Sequence, residues 1–203
     1  MRLLDRLPRI AACALAAGLI APAARAFDSS AVPVSPDTAR ILDAIDKGRK
    51  ERTPADRAAA RRLNAEGDRA YRKRDYRAAF TAYANSYPNH PNAYAYIMAG
   101  DAHWRAVVQA HPATPASQPP ACSLDNTRFA KDLASDLAQH HEVGLALAAR
   151  ENDRRFMQSS VYRRARESDA CLQGLAQRYQ AESPQACVDV ARLRTCLGTP
   201  LIR

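Results

Sequence analysis

Apolar residues recur along this chain at three- and four-residue spacing, and no segment alternates with period two over a useful length. That periodicity belongs to helices that bury one face. Ser35-Pro36-Asp37 opens the first predicted helix, with Ser as N-cap, Pro at the first helical position and an acid in the first turn. Ile41, Leu42 and Ile45 form its apolar face, and Gly48 ends it. Thr53-Pro54-Ala55-Asp56 repeats the start signal, so a second helix should run from 54 to about 73 with Leu63, Ala70 and Tyr71 inward. Asp75 starts a third, whose apolar residues Tyr76, Ala79, Phe80 and Tyr83 fall at i, i+3, i+4 and i+7. Pro88 and Pro91 bracket a turn, and Pro91-Asn92-Ala93 starts a fourth helix reaching about Gln109.

The pattern breaks between His111 and Cys122, where four prolines exclude helix. Beyond it, Phe129, Leu133 and Leu137 share a helical face, and Gly144 is placed to end or bend that helix. Phe156, Met157 and Val161 mark another helix, and Cys171, Leu172, Leu175 and Tyr179 a further one. Ser183-Pro184 caps the last, which carries Cys187, Val190 and Ala191. The fold class is therefore all-α.

The chain's start reads as a secretory signal over residues 1–26. Arg2, Arg6 and Arg9 precede an apolar run from Ile10 to Ile20, shorter than the ~20 residues that span a bilayer. Ala24-Arg25-Ala26 supplies the small residues of a cleavage site before Phe27. Ile10-Ala11-Ala12-Cys13 resembles a lipoprotein signal, but the apolar run continues past Cys13. Export to the periplasm or outside a bacterial cell is the expectation, with no membrane-spanning segment left in the mature chain. The organisation is then signal 1–26, an N-terminal helix plus repeats over 27–110, a Pro-rich linker over 111–122 and a C-terminal helical segment over 123–203.

Within this frame, Gly67-Asp68-Arg69-Ala70-Tyr71-Arg72 recurs 33 residues later as Gly100-Asp101-Ala102-His103-Trp104-Arg105. Each copy lies in a predicted helix, with another helix and a proline turn between them. Over about residues 60–110 the chain resembles the tetratricopeptide repeat family, built from helix–turn–helix units of about 34 residues. Leu63, Gly67, Tyr71, Tyr76, Ala79, Tyr83 and Pro91 fall on or beside pattern positions. The resemblance implies an array of such hairpins packed against the C-terminal helices. It also implies a concave face, built by the first helix of each repeat, that binds a protein or peptide. By position that face presents Arg61, Asn64, Asp68, Tyr71 and Arg72, then Tyr94, Ile97, Asp101, Trp104 and Arg105. Tyr, Trp and Arg dominate interface energetics. Asp68 and Asp101 depart from the asparagine with which some family members clamp a terminal carboxylate.

Composition narrows the chemistry. Charged residues are 25% and hydrophobic ones 47%, which excludes wholesale disorder. Only 7 glycines are present, and neither a GxxxxGK nor a GxGxxG phosphate loop occurs. His140-His141-Glu142 fails the HExxH zinc pattern because residue 145 is Leu, and it reads as a half-exposed helix surface. No catalytic, cofactor or metal site is signalled, so an enzyme, such as an uncharacterised hydrolase, is a distant alternative. The net charge is +9. The stretch 47–77 holds twelve Lys or Arg against five acids, which suits an acidic partner or an anionic lipid or wall polymer; nucleic acid is not expected after export.

Once Cys13 is removed with the signal, four cysteines remain, and an even count in an exported protein reads as two disulfides. A C-terminal hairpin turning near Glu182-Ser183 sets Cys171 opposite Cys196 and leaves Cys122 to reach Cys187, whereas a displaced turn would favour Cys171 with Cys187 and Cys122 with Cys196. Cys187 with Cys196 is disfavoured, because nine residues of one helix would hold them about 13 to 14 Å apart.

Overall fold

The computed structural model describes residues 34–49, 52–111, 125–182 and 188–203. The signal segment, the Pro-rich run from 112 to Cys122, and Ser183-Pro184 with Cys187 lie outside them.

The regular secondary structure of the described residues is all helical, without strands. Helix α1 is Pro36–Gly48, α2 Pro54–Arg72, α3 Tyr76–Ser86 and α4 Ala93–Ala110. Each starts where its local signal lies: Ser35, Thr53, Asp75 and Asn92 all accept a backbone N–H from their helix's first turn. Thr53 and Asp56 reciprocate as a full capping box. After the Pro-rich gap come α5 Asn126–Asp136, a π-helical stretch Leu137–Glu142, α6 Val143–Arg150, the single turn α7 Arg154–Met157, α8 Ser160–Ala181 and α9 Val190–Leu197.

Three expectations change. Gly144 does not end a helix but lies inside α6. A Cβ there would lie 2.7 Å from the Ile97 side chain, so glycine lets α6 close onto α4. Val161 and Cys171 share the one long helix α8, and Phe156 and Met157 belong to the separate turn before it, because Ser159 caps at that point. The last helix starts at Val190, capped by Asp189, not at Pro184. The one-helix argument against joining Cys187 to Cys196 therefore loses its premise. Cys171 and Cys196 nonetheless lie at disulfide distance, with Cα atoms 5.3 Å apart.

α2 and α3 pack as a hairpin, and α4 returns along α3. On its other side α4 meets the π-helical stretch and α6, so it is buried on nearly every side. Gly67 and Gly100 explain the close approach. A Cβ on Gly67 would sit 2.6 Å from the Tyr83 ring, and one on Gly100 would sit 2.1 Å from His141. Two apolar clusters result. Tyr71, Tyr83, Ile97, Met98, Val143, Leu147, Tyr162 and Leu201 fill the first. Trp104, Phe129, Leu133, Leu172, Tyr179 and Leu193 fill the second. Fully burying such a side chain contributes about 1.5–3 kcal/mol.

Candidate peptide recess

Asp68 and Asp101, the acids shared by the two sequence copies, both accept tyrosine hydroxyls. Asp68 Oδ1 accepts from Tyr83 and Tyr94, each at 2.7 Å. Asp101 accepts from Tyr71 and pairs with Arg105, whose Nε is 2.6 Å away. Asp101 is 1% exposed and the Arg105 side chain 9%. Burial alone would make the Arg105 guanidinium easier to deprotonate, but Asp101 and Tyr71 outweigh it and push its pKa up. Burial, reinforced by the Asp101 charge, pushes the Tyr71 hydroxyl well above its usual range. The trio is a fixed set of charged and polar groups, with no carboxylate left unmatched.

That trio faces the end of α9 and the chain's own segment Gly198–Arg203, which leaves α9 in non-helical form. Arg105 donates to three successive carbonyls, those of Leu197 at 2.8 Å, Gly198 at 3.2 Å and Thr199 at 2.9 Å. Arg164 of α8 donates to the Thr199 hydroxyl at 3.2 Å, the Pro200 carbonyl at 2.9 Å and the Leu201 carbonyl. The Leu201 N–H donates to the Tyr71 hydroxyl at 2.9 Å, and Arg72 Nε to the Arg203 carbonyl at 2.9 Å. Leu201 itself is buried in the first core. Beside the segment opens a cleft of about 520 Å³ lined by Arg74, Tyr76, Arg105, Gln109, Arg194 and Pro200.

The residues expected on a concave face divide accordingly. Tyr71, Arg72, Asp101 and Arg105 meet at this recess. Asn64, Asp68 and Tyr94 are half-buried, and Arg61 is exposed. Ile97 packs against Gly144 of α6, and Trp104, 1% exposed, packs edge-on against Phe129 in the second core. Neither is offered to a partner. Arg164 and the segment after Gly198 were not legible as site residues. Arg164 sits among other arginines with nothing local to mark it; the apolar pair Leu201-Ile202 after a Gly-Thr-Pro stop was the available signal.

A second polar group lies at the π-helical stretch. His140 and His141 are buried, at 5% and 1% exposure, rather than half-exposed. The reason is long-range: α4 lies over them, with Gly100 against His141. His140 Nδ1 is 2.8 Å from Asp136. Burial disfavours the Asp136 carboxylate, but that histidine outweighs it and holds the carboxyl below its usual range. His141 makes no well-formed hydrogen bond among the described residues, and burial lowers its pKa. Burial, with the Glu142 carboxylate nearby, pushes Asp169 up to about 7. Glu142 itself is held by α1, accepting from Ser35 N–H at 2.6 Å, Ser35 Oγ at 2.7 Å and Thr38 Oγ1 at 2.7 Å. Among the described residues no three His, Cys, Asp or Glu side chains are grouped to hold a metal ion, and no helix is long and apolar enough to cross a membrane.

No known protein family, curated protein or solved structure matches this chain.

Proposed function

We propose that the chain is an interaction module: an exported, tetratricopeptide-repeat-like helical protein that binds another protein or peptide as adaptor or assembly factor in the bacterial envelope. One observation carries this reading. Side chains of α2 and α4 that the sequence copies single out converge on a recess that holds a bent stretch of polypeptide, and they hold it through its carbonyls and one N–H. Carbonyl recognition by fixed guanidinium groups is what a peptide groove needs, since every peptide offers carbonyls. The repeat spacing of 33 residues and the matched glycine contacts at Gly67 and Gly100 support the family likeness. Affinity capture from an envelope fraction at moderate salt tests the proposal. Specific enrichment of one or a few envelope proteins is expected; recovery of nothing beyond the background of an unrelated basic helical protein overturns it.

A second reading, binding to anionic lipid or wall polymer, is favoured by a different face. Arg57, Arg61, Arg62, Arg69, Arg74 and Arg77 are exposed on α2, α3 and the turn between them, and none has a carboxylate partner among the described residues. Retention on anionic vesicles that disappears between about 0.05 and 0.5 M salt supports this reading, because exposed charges are screened beyond about 10 Å at 0.1 M. Retention that persists through that range speaks against it.

A further inference from the structure

The segment in the recess reports what the recess recognises. Three features set that chemistry. Within the segment, Arg105 and Arg164 bind only carbonyls and one hydroxyl, on a backbone that bends at Thr199 and Leu201, so they fix a bent backbone and a register, not a sequence. Pro200 occupies the position before the buried side chain, where it brings no N–H that would need a partner. Leu201 alone inserts its side chain fully, at 3% exposure, while its N–H meets the Tyr71 hydroxyl. The preferred ligand is therefore a short bent segment carrying proline followed by a branched aliphatic residue.

Two further features make the segment removable. Arg105 is already neutralised by Asp101 and hydrogen-bonded to Tyr71 without it, so emptying the recess leaves no isolated buried charge. Gly198 adopts φ +56° immediately before the segment and is exposed, which places the backbone position most tolerant of rotation at the segment's root. Only Leu201 is fully buried beyond it; Thr199 and Arg203 are exposed.

We propose that the recess between α2, α4 and α8 is a docking groove for a partner's bent proline–aliphatic segment, and that residues 199–203 are a built-in competitor displaced by that segment. This rests on the interaction-module reading and adds the ligand's chemistry and its control. The partner need not resemble the chain elsewhere, because the groove contacts no more than about five residues of backbone.

The test uses the full chain and a fluorescent synthetic peptide, Leu-Gly-Thr-Pro-Leu-Ile-Arg. Leu201→Gln removes the segment's buried apolar anchor and should loosen it. The variant should bind the peptide at least tenfold more tightly than the unaltered chain, and adding Arg164→Ala to it should weaken binding at least fivefold. A peptide with Ser in place of Pro-Leu should not compete. On the unaltered chain, millimolar peptide should accelerate hydrogen exchange at the Leu201 amide, a measurement that stands even if the variant fails to fold. No acceleration at that amide overturns the proposal, as does equal peptide binding by the unaltered chain and both variants. Concentration-dependent dimerisation of the unaltered chain, with Leu201 protection retained, would make a second copy the occupant and also overturns it. Envelope capture that succeeds while these measurements fail leaves the interaction module standing on another face.

Discussion

Gly100 and Gly174 make opposite demands on a single methyl group. At Gly100 a Cβ would stand 2.1 Å from the His141 ring and 2.9 Å from His140 Cβ, inside a packed core. Gly100→Ala should destabilise by at least about 2 kcal/mol, seen as a lowered urea midpoint. Gly174 lies in α8 with no atom within 4 Å of its would-be Cβ, so Gly174→Ala should stabilise by up to about 1 kcal/mol through helix propensity alone. Asp169 gives a pH-dependent counterpart. Its folded carboxyl holds a proton up to about 7, against an ordinary value of 3.8. Between those values the folded state binds more protons than the unfolded chain, so stability falls as pH rises through this window and levels off above it. Gln173, which donates to the carboxyl at 2.9 Å, tempers the effect without reversing it. Asp169→Asn should therefore raise stability at pH 8 by on the order of a few kcal/mol at most, seen as a higher melting temperature, and change little at pH 4. Equal shifts at both pH values would show that the carboxyl does not titrate in this range.

Helices α1 to α4 were legible because their start signals are local: a side chain three residues from the N–H it accepts needs no knowledge of the rest of the fold. The same locality explains α3, whose apolar residues fall at helical spacing right after Asp75. Elements fixed by distant contacts were not legible. The π-helical stretch carries no breaker in its sequence, Leu-Ala-Gln-His-His-Glu. His140 and His141 look amphipathic until α4 is laid across them. The recess was legible by half: Tyr71, Arg72, Asp101 and Arg105 share positions in two copies, whereas Arg164 and Leu201 reach it only through the return of α8 and of the chain after α9. Glu142 shows how much one contact between elements can hold. It is the anchor for the start of α1, accepting three hydrogen bonds from Ser35 and Thr38. Hydrogen bonds to a charged group contribute about 1.5–3 kcal/mol. Glu142→Ala should cost at least that much, and amide exchange in α1 should accelerate far more than in α2 or α4. Uniform acceleration across all helices would argue that α1 is not separately held.

At the scale of the molecule, the two apolar clusters meet at α4, and α8 passes from the first, through Tyr162, to the second, through Leu172 and Tyr179. The C-terminal helices are thus part of both cores. Cys171 and Cys196 close a stretch of 25 residues between α8 and α9. In the chain-entropy model such a closure stabilises by about 3 to 4 kcal/mol. Cys171→Ser should lower stability by roughly that amount, and a reductant should lower the unaltered chain's melting temperature by more than the variant's. The pair also sits two residues before Gly198, and its other end lies on the helix that carries Arg164. Along the backbone, Arg164 and Leu201 are 37 residues apart; through the sulfur atoms the path shrinks to about a third of that. A shorter tether raises the effective concentration of the segment at its own groove. Thermodynamic linkage then runs both ways. Opening the pair should raise the groove's affinity for an outside segment, and an outside segment should, by the same factor, make the pair easier to open. The sulfur pair would then weigh the chain's own segment against a partner's.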